Sequence, residues 1–230
     1  MAALCSTIAA GQDMPADMET YYMCLARRGP KWIGPELPGT EAEFAGHLKY
    51  INRMAASGKL VAAGPFTDGG EIIGAFVLRA SSLDEAKAIV AEEPWTKAER
   101  LALEIHPWWA LKGLGKDYSQ EVKRNPDAEV PMVSYQIGLL KRGPKWTPER
   151  TPETARLQAD HLAHIGKMAE SGKLVVAGPF ADGGDLRGVF LFRADSMEEA
   201  KAMSGKDPAV KAGRLTVELH PWSLPKGMMP

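Results

Sequence analysis

Ser57-Gly58-Lys59-Leu60-Val61-Ala62-Ala63-Gly64-Pro65-Phe66-Thr67-Asp68-Gly69-Gly70 returns further along the chain as Ser171-Gly172-Lys173-Leu174-Val175-Val176-Ala177-Gly178-Pro179-Phe180-Ala181-Asp182-Gly183-Gly184. Working outward, Arg28-Gly29-Pro30-Lys31-Trp32 returns as Arg142-Gly143-Pro144-Lys145-Trp146, and His106-Pro107-Trp108 as His220-Pro221-Trp222. The offset is 114 positions each time, as it is from His47 to His161. The halves, roughly 21–113 and 135–227, align without an insertion and share about half their residues. Two copies are too few for a solenoid, which needs at least ~3 repeats to bury a continuous core. A pseudo-dimer within one chain is the better description.

Each copy reads as strand, helix, strand, strand, helix, strand. Leu60 to Phe66 and Gly74 to Leu78 are near-continuous apolar runs, as expected of strands covered on both faces. Asp68-Gly69-Gly70 between them is a hairpin turn whose glycines tolerate positive φ. Upstream, Tyr21 to Ala26 forms a short apolar strand broken by the Gly-Pro loop. Thr40-x-x-Glu43 has the form of a capping box. Phe44, Leu48, Ile51 and Ala55 then follow at helical spacing until Gly58 stops the helix. On that wheel His47 lies about 60° off the apolar stripe, at the edge of the buried face. Downstream, Ser82-x-x-Glu85 opens a second helix with Ala86 and Ile89 inward, and Leu101, Leu103 and Ile105 alternate along a last strand. In the second copy Thr151-Pro152, Asp182-Gly183-Gly184 and Ser196-x-x-Glu199 stand at the matching places.

Helices on one face of a four-stranded antiparallel sheet make each copy a ferredoxin-like βαββαβ unit of the α+β class. The opposite face of each sheet is also apolar, so the two repeats are expected to pack sheet to sheet. The boundaries follow: an N-terminal tail at 1–20, a first repeat at 21–111, a linker at 112–130 and a second repeat at 131–230. The linker stretch from Lys112 to Val130 shows no apolar periodicity and reaches up to ~3.3 Å per residue when extended. A length of 230 residues and a mass of 24.9 kDa suit two such units.

Composition narrows the function. Twenty-eight basic against 29 acidic residues give a net charge of −1 with no basic block, which argues against a nucleic-acid partner. No apolar run approaches the ~20 residues of a membrane span. Cys5 and Cys24 make neither a disulfide framework nor, by themselves, a zinc site. Met1 to Gly11 lacks the positive start and long apolar core of a secretory signal. The expectation is a cytoplasmic protein with a loose N-terminal tail; a true start further upstream would leave secretion open.

A helix carrying a His, then Ser-Gly-Lys-Leu-x-x-Ala-Gly-Pro-Phe, a short hairpin, a second helix and Asp-Pro before the last strand together resemble a YCII-related domain. The resemblance covers nearly all of both repeats. It implies kinship with the dimeric α/β-barrel proteins, here as an intrachain dimeric α/β barrel; the duplication removes the need for the usual dimer, so a monomer is expected. It also implies a catalytic His and Asp pair; one member of the family is a dehydrochlorinase acting on a chlorinated hydroxyquinol. Carried over, the His falls on His47 and His161, and the Asp on Asp207 in Asp207-Pro208. In the first repeat that place is taken by Glu93 in Glu93-Pro94, one methylene longer. The aromatic that often follows the proline is Trp95 in one repeat and Ala209 in the other. The arginine common four residues before the His is absent, with Glu43 and Leu157 in its place.

A His near its unperturbed pKa of about 6.5 exchanges protons near neutrality, and a carboxylate on one ring nitrogen fixes its tautomer. The competing reading is a His packed between helix and sheet and satisfied by a structural carboxylate. Other groups carry weaker signals. Glu104 with His106, and Glu218 with His220, share a strand face, the His anchoring a Pro-Trp turn at the strand end. His164, one turn after His161, has metal-ligand spacing but too few companions for a zinc site. Arg28 with Trp32 and Arg142 with Trp146 form either a lid that clamps an anionic or aromatic substrate or a rigid turn. No phosphate loop is present. Cys24, in a strand, is a buried inert thiol.

Three functions compete. The first is a cofactor-free enzyme, with no metal, that uses His161 with Asp207, and His47 with Glu93, for elimination or hydrolysis on a small organic molecule. The second is a non-catalytic module binding a small molecule or protein between its repeats. The third is a cofactor-free oxygenase on the same fold, which no residue selects.

Overall fold

The computed structural model describes residues 14–34, 40–125 and 130–230. The tail from Met1 to Gly11, and Cys5 with it, lies outside them.

The chain forms two compact units. One contains Thr20–Pro107, Gly113–Val133 and Trp222–Pro230; the other contains Trp108–Lys112 and Ser134–Pro221, with residues of Met1–Glu19. The first repeat runs β1 (Met18–Arg28), α1 (Glu41–Ser57), β2 (Leu60–Pro65), β3 (Ile72–Leu78), α2 (Leu83–Ala91), the short α3 (Pro94–Lys97) and β4 (Leu101–Leu111). Its four-stranded sheet has the order β2-β3-β1-β4. Antiparallel pairing sets Cys24 opposite Phe76 and Ala63 opposite Phe76 from the other side. After α4 (Lys116–Arg124), the second repeat follows the same plan: β5 (Met132–Arg142), α5 (Pro152–Glu170), β6 (Leu174–Pro179), β7 (Leu186–Phe192), α6 (Met197–Ser204), α7 (Pro208–Lys211) and β8 (Leu215–Pro225). Its sheet order is β6-β7-β5-β8. Crossing from the first strand over a helix to the far hairpin is the ferredoxin-like arrangement anticipated from the pattern.

The second repeat buries Leu140, Ile165, Met168, Leu174, Phe190 and Phe192 in one cluster. Full burial of each such side chain is worth roughly 1.5–3 kcal/mol, and through Ile165 and Met168 this burial holds α5 on the sheet. The hairpins form as their residues demand. Gly69 takes φ 72° and Gly183 φ 70°, while Asp68 and Asp182 accept the backbone N–H two residues on at 3.2 Å.

Four local expectations change. Thr40 makes no side-chain cap of α1, its backbone being helical (φ −99°, ψ −5°) rather than extended, and Glu43 pairs with Arg100 at 3.1 Å instead of turning back to the helix end. A reciprocal box does form at Thr151, with Thr154. On α1 the inner stripe runs through His47, while Leu48 is 45% exposed. The supposed linker holds α4, whose Tyr118 and Val122 are buried and which packs on α1; two apolar residues one turn apart leave too faint a period to read. Finally, His-Pro-Trp is no turn: β4 and β8 run straight through it. Pro107 and Pro221 are tolerated because each strand lies at its sheet edge.

Beyond each proline the strand end packs over a Gly-Pro-Phe motif. Trp108 donates its indole N–H to the Gly178 carbonyl at 3.1 Å, and Trp222 does the same to Gly64 at 3.1 Å. A Cβ at Gly178 would lie 1.8 Å from the Trp109 carbonyl oxygen, and one at Gly64 1.9 Å from that of Ser223. Only glycine allows that approach. Among the described residues, no helix is long and apolar enough to cross a membrane.

Candidate active site

Asp207 and Glu93 are the N-caps of α7 and α3. Each short helix starts with Pro at its first position, where the missing N–H costs nothing, and an acidic side chain takes up the next two amides. One oxygen of Asp207 accepts the N–H of Ala209 at 2.8 Å and of Val210 at 3.3 Å. Its other oxygen lies 2.7 Å from His161 Nδ1. Glu93 Oε1 accepts the Trp95 N–H at 2.9 Å and meets His47 Nδ1 at 2.8 Å; Oε2 takes the Thr96 N–H at 2.7 Å. Burial works to raise the Glu93 carboxyl, but the hydrogen bonds from His47, Trp95 and Thr96 outweigh it and hold the group below its ordinary range.

The sequence-level pairs are therefore brought together in both repeats, but their surroundings differ. His47 is 14% exposed at its side chain and lies stacked, 5.0 Å from the Trp95 ring and 6.1 Å from Phe44. Ala209 and Gln158 stand in those places in the second repeat. There His161 is 1% exposed and Asp207 fully buried. With Nδ1 donating to the carboxylate, the lone pair of the neutral imidazole is left on Nε2. That atom is buried and has no hydrogen-bond partner. His161 lines a small pocket with Leu140, Ile165, Pro179, Arg187 and Phe190, whose free space of ≈ 10 Å³ suits one water-sized group. Gln158, one turn before His161 on the same helix face, also has a buried and unpartnered Nε2.

The remaining candidates are accounted for individually. His106 Nε2 lies 3.0 Å from Glu104, and His220 Nε2 3.3 Å from Glu218. Glu218 also pairs with Lys141, which leaves these carboxylates engaged. His164 is 3.2 Å from the Met203 carbonyl. Among the described residues, no three His, Cys, Asp or Glu side chains gather as a metal would need. Cys24 is buried, and burial pushes its thiol up to about 12. The Arg28–Trp32 and Arg142–Trp146 loops are tied down by backbone bonds, Gly29 to Arg100 and Gly143 to Arg214 among them. Their cations collect on tryptophan: Arg28 sits 5.9 Å from the Trp32 ring, and Arg142 5.5 Å from Trp146.

Sequence reasoning missed Arg187 and Arg214, which lie 4.7 and 4.6 Å from the same Trp146 ring. The available signal was a break in the repeat, since Arg187 stands where the first copy has Ile73.

This geometry and topology define a protein of the dimeric α/β-barrel class built from two ferredoxin-like repeats. The chain belongs to the YCII-related domain family, which it matches over residues 20–108 and 142–223. An uncharacterized protein of Bacillus subtilis, YjpA, is 31% identical over 87 residues, covering 38% of this chain and 92% of that protein. A chlorite dismutase mutant of Candidatus Nitrospira defluvii shares the fold with a TM-score of 0.58 at 12% identity, over 92% of each chain. So does a heme-binding protein of Thermus thermophilus, with a TM-score of 0.55 at 17% identity, over 93% of this chain and 95% of that one.

Proposed function

We propose that this YCII-related protein is an acid–base enzyme for a small organic molecule, in which His161, held by Asp207, takes and returns a proton in an elimination or hydrolysis. The observation that carries the reading is His161 itself: Nδ1 is 2.7 Å from Asp207 Oδ2, Nε2 is buried and bonded to no protein group, and the residue lines a pocket. A lone pair so placed has no protein group bonded to it and is available to act as a base. The carboxylate behind it stabilises the imidazolium that forms, and a positioned base contributes about 10²–10⁴-fold. The His47–Glu93 pair has the same bond, but its ring is stacked on Trp95 and Phe44, so the second repeat is the main centre. Small-molecule binding without turnover is the second reading, favoured by the small volume of the pocket.

The fold is shared with a heme-binding protein of Thermus thermophilus. A porphyrin needs a cavity of several hundred Å³ beside its axial ligand, and the pocket at His161 offers ≈ 10 Å³. The residues around His161 do not fit that group.

The experiment is a panel assay in deuterated water. It follows solvent exchange at acidic C–H bonds of small carbonyl compounds and halide release from chlorinated hydroxyquinols. His161→Gln and Asp207→Asn each lower the rate about a hundredfold or more, and His47→Gln lowers it little. Turnover that survives in His161→Gln removes this base from the reading.

A further inference from the structure

The two repeats diverge in charge at one corner. In the first, Arg100 is neutralised by Glu43 at 3.1 Å and Lys31 by Glu99 at 3.2 Å. The second repeat has Leu157 and Gly213 in place of those carboxylates, and Arg187 in place of Ile73. Two carboxylates lost and one guanidinium gained make this corner three charges more positive than its counterpart. The hairpin acids Asp182 and Asp185 have equivalents in Asp68 and Glu71, so they do not offset the change.

Backbone carbonyls and one aromatic ring hold those charges together. Arg142 donates to the Gly183 carbonyl at 2.8 Å, and Arg214 to the Thr147 carbonyl at 2.6 Å. Arg187 joins them on the Trp146 ring, whose negative face moderates their repulsion. Arg187 and His161 line the same pocket, and His161 Nε2 is bonded to no protein group. Burial, together with the guanidiniums of Arg142 and Arg214, pulls Arg187 below its ordinary range, against the pull of Asp182 and Asp185. Arg187 also donates to the Gly184 carbonyl at 3.4 Å, and a guanidinium carries five N–H donors, so it can add a charge-assisted bond to an anion.

We propose that the second repeat takes an organic anion, a carboxylate or enolate, of which only a charged oxygen enters the water-sized space on Arg187 while the rest of the molecule stays outside it, the neighbouring proton being presented to His161 Nε2. Arg187 is thus the specificity-determining residue of the site, and the first repeat, with Ile73, does not bind this class. The assignment rests on the acid–base reading above and names its substrate class.

The test is a titration of the full chain with formate, acetate and benzoate, and with benzamide as the neutral counterpart. It is followed by the imidazole resonances of His161. The carboxylates produce a saturable shift and benzamide does not. Arg187→Ile, which copies the first repeat, weakens carboxylate binding at least about tenfold, while Arg187→Lys keeps part of it. Unchanged binding in Arg187→Ile, or equal binding of benzamide, overturns the assignment. So does a carboxylate series that leaves His161 undisturbed. These failures are separable from failure of the acid–base reading, because proton exchange in the panel assay is scored on His161→Gln and does not depend on charge selectivity.

Discussion

The Asp207 carboxylate makes two kinds of bond at once: one oxygen caps α7 through the Ala209 and Val210 amides, and the other holds His161 Nδ1 at 2.7 Å. The position of the imidazole and the local folding of α7 are thereby joined in one side chain. Glu93 repeats the arrangement in the first half with His47, Trp95 and Thr96.

Removing either carboxylate should therefore cost stability as well as function. Asp207→Ala strands two backbone amides and an imidazole N–H in the interior, and a loss of about 3 kcal/mol is expected. Urea unfolding curves read this directly. Asp207→Asn, which keeps an acceptor oxygen, loses less.

Gly64 and Gly178 give a sharper structural test. Alanine at Gly178 collides with the Trp109 backbone, and alanine at Gly64 with that of Ser223. Backbone cannot yield as a flexible side-chain end can, so each substitution is expected to cost about 3 kcal/mol or more in thermal or urea unfolding. Alanine at Gly46 or Gly166, where nothing lies within 4 Å of the new Cβ, serves as the control. Gly-to-Ala inside a helix is stabilising by roughly 0.5–1 kcal/mol.

Acid should weaken the first repeat in a definable window. The Ser81 backbone N–H, the Ser81 hydroxyl and Lys59 hold the Glu85 carboxyl down at about 2. A group whose folded value lies below its unfolded value stabilises the fold above the unfolded value, near 4.5, and loses that contribution as pH falls toward 2. Glu93, also lowered, acts in the same direction. Denaturation at stepped pH should show stability falling below pH 4.5, with a shallower fall in Glu85→Gln.

Cys24 should be silent in the folded protein. With its thiol pushed up to about 12 and fully buried, a Cys5→Ser variant is expected to resist alkylation at about pH 8 and to react on unfolding. Prompt labelling of the native chain would contradict the buried position.

We also expect the chain to be a monomer, since duplication supplies both copies of the repeat. Light scattering at micromolar concentration checks this; a stable dimer would count against it.

Much of this molecule is legible from its amino-acid order. The 114-residue offset, the alternation of the strands and the Asp-Gly-Gly turns are local signals, and local propensity acts over the few residues that one strand or turn contains. The pairing of His161 with Asp207, and of His47 with Glu93, was legible only through resemblance to a family, because 46 residues separate each pair. What tertiary structure alone decided is of another kind. Two apolar side chains were too few to announce α4, yet they suffice once α1 offers them a surface. Glu43 left its helix cap because Arg100, 57 residues away, came within reach. An orphaned lone pair on His161, and three guanidiniums on Trp146, exist only where separate loops converge. Burial and electrostatics depend on distance in space, which the order of residues along the chain does not carry.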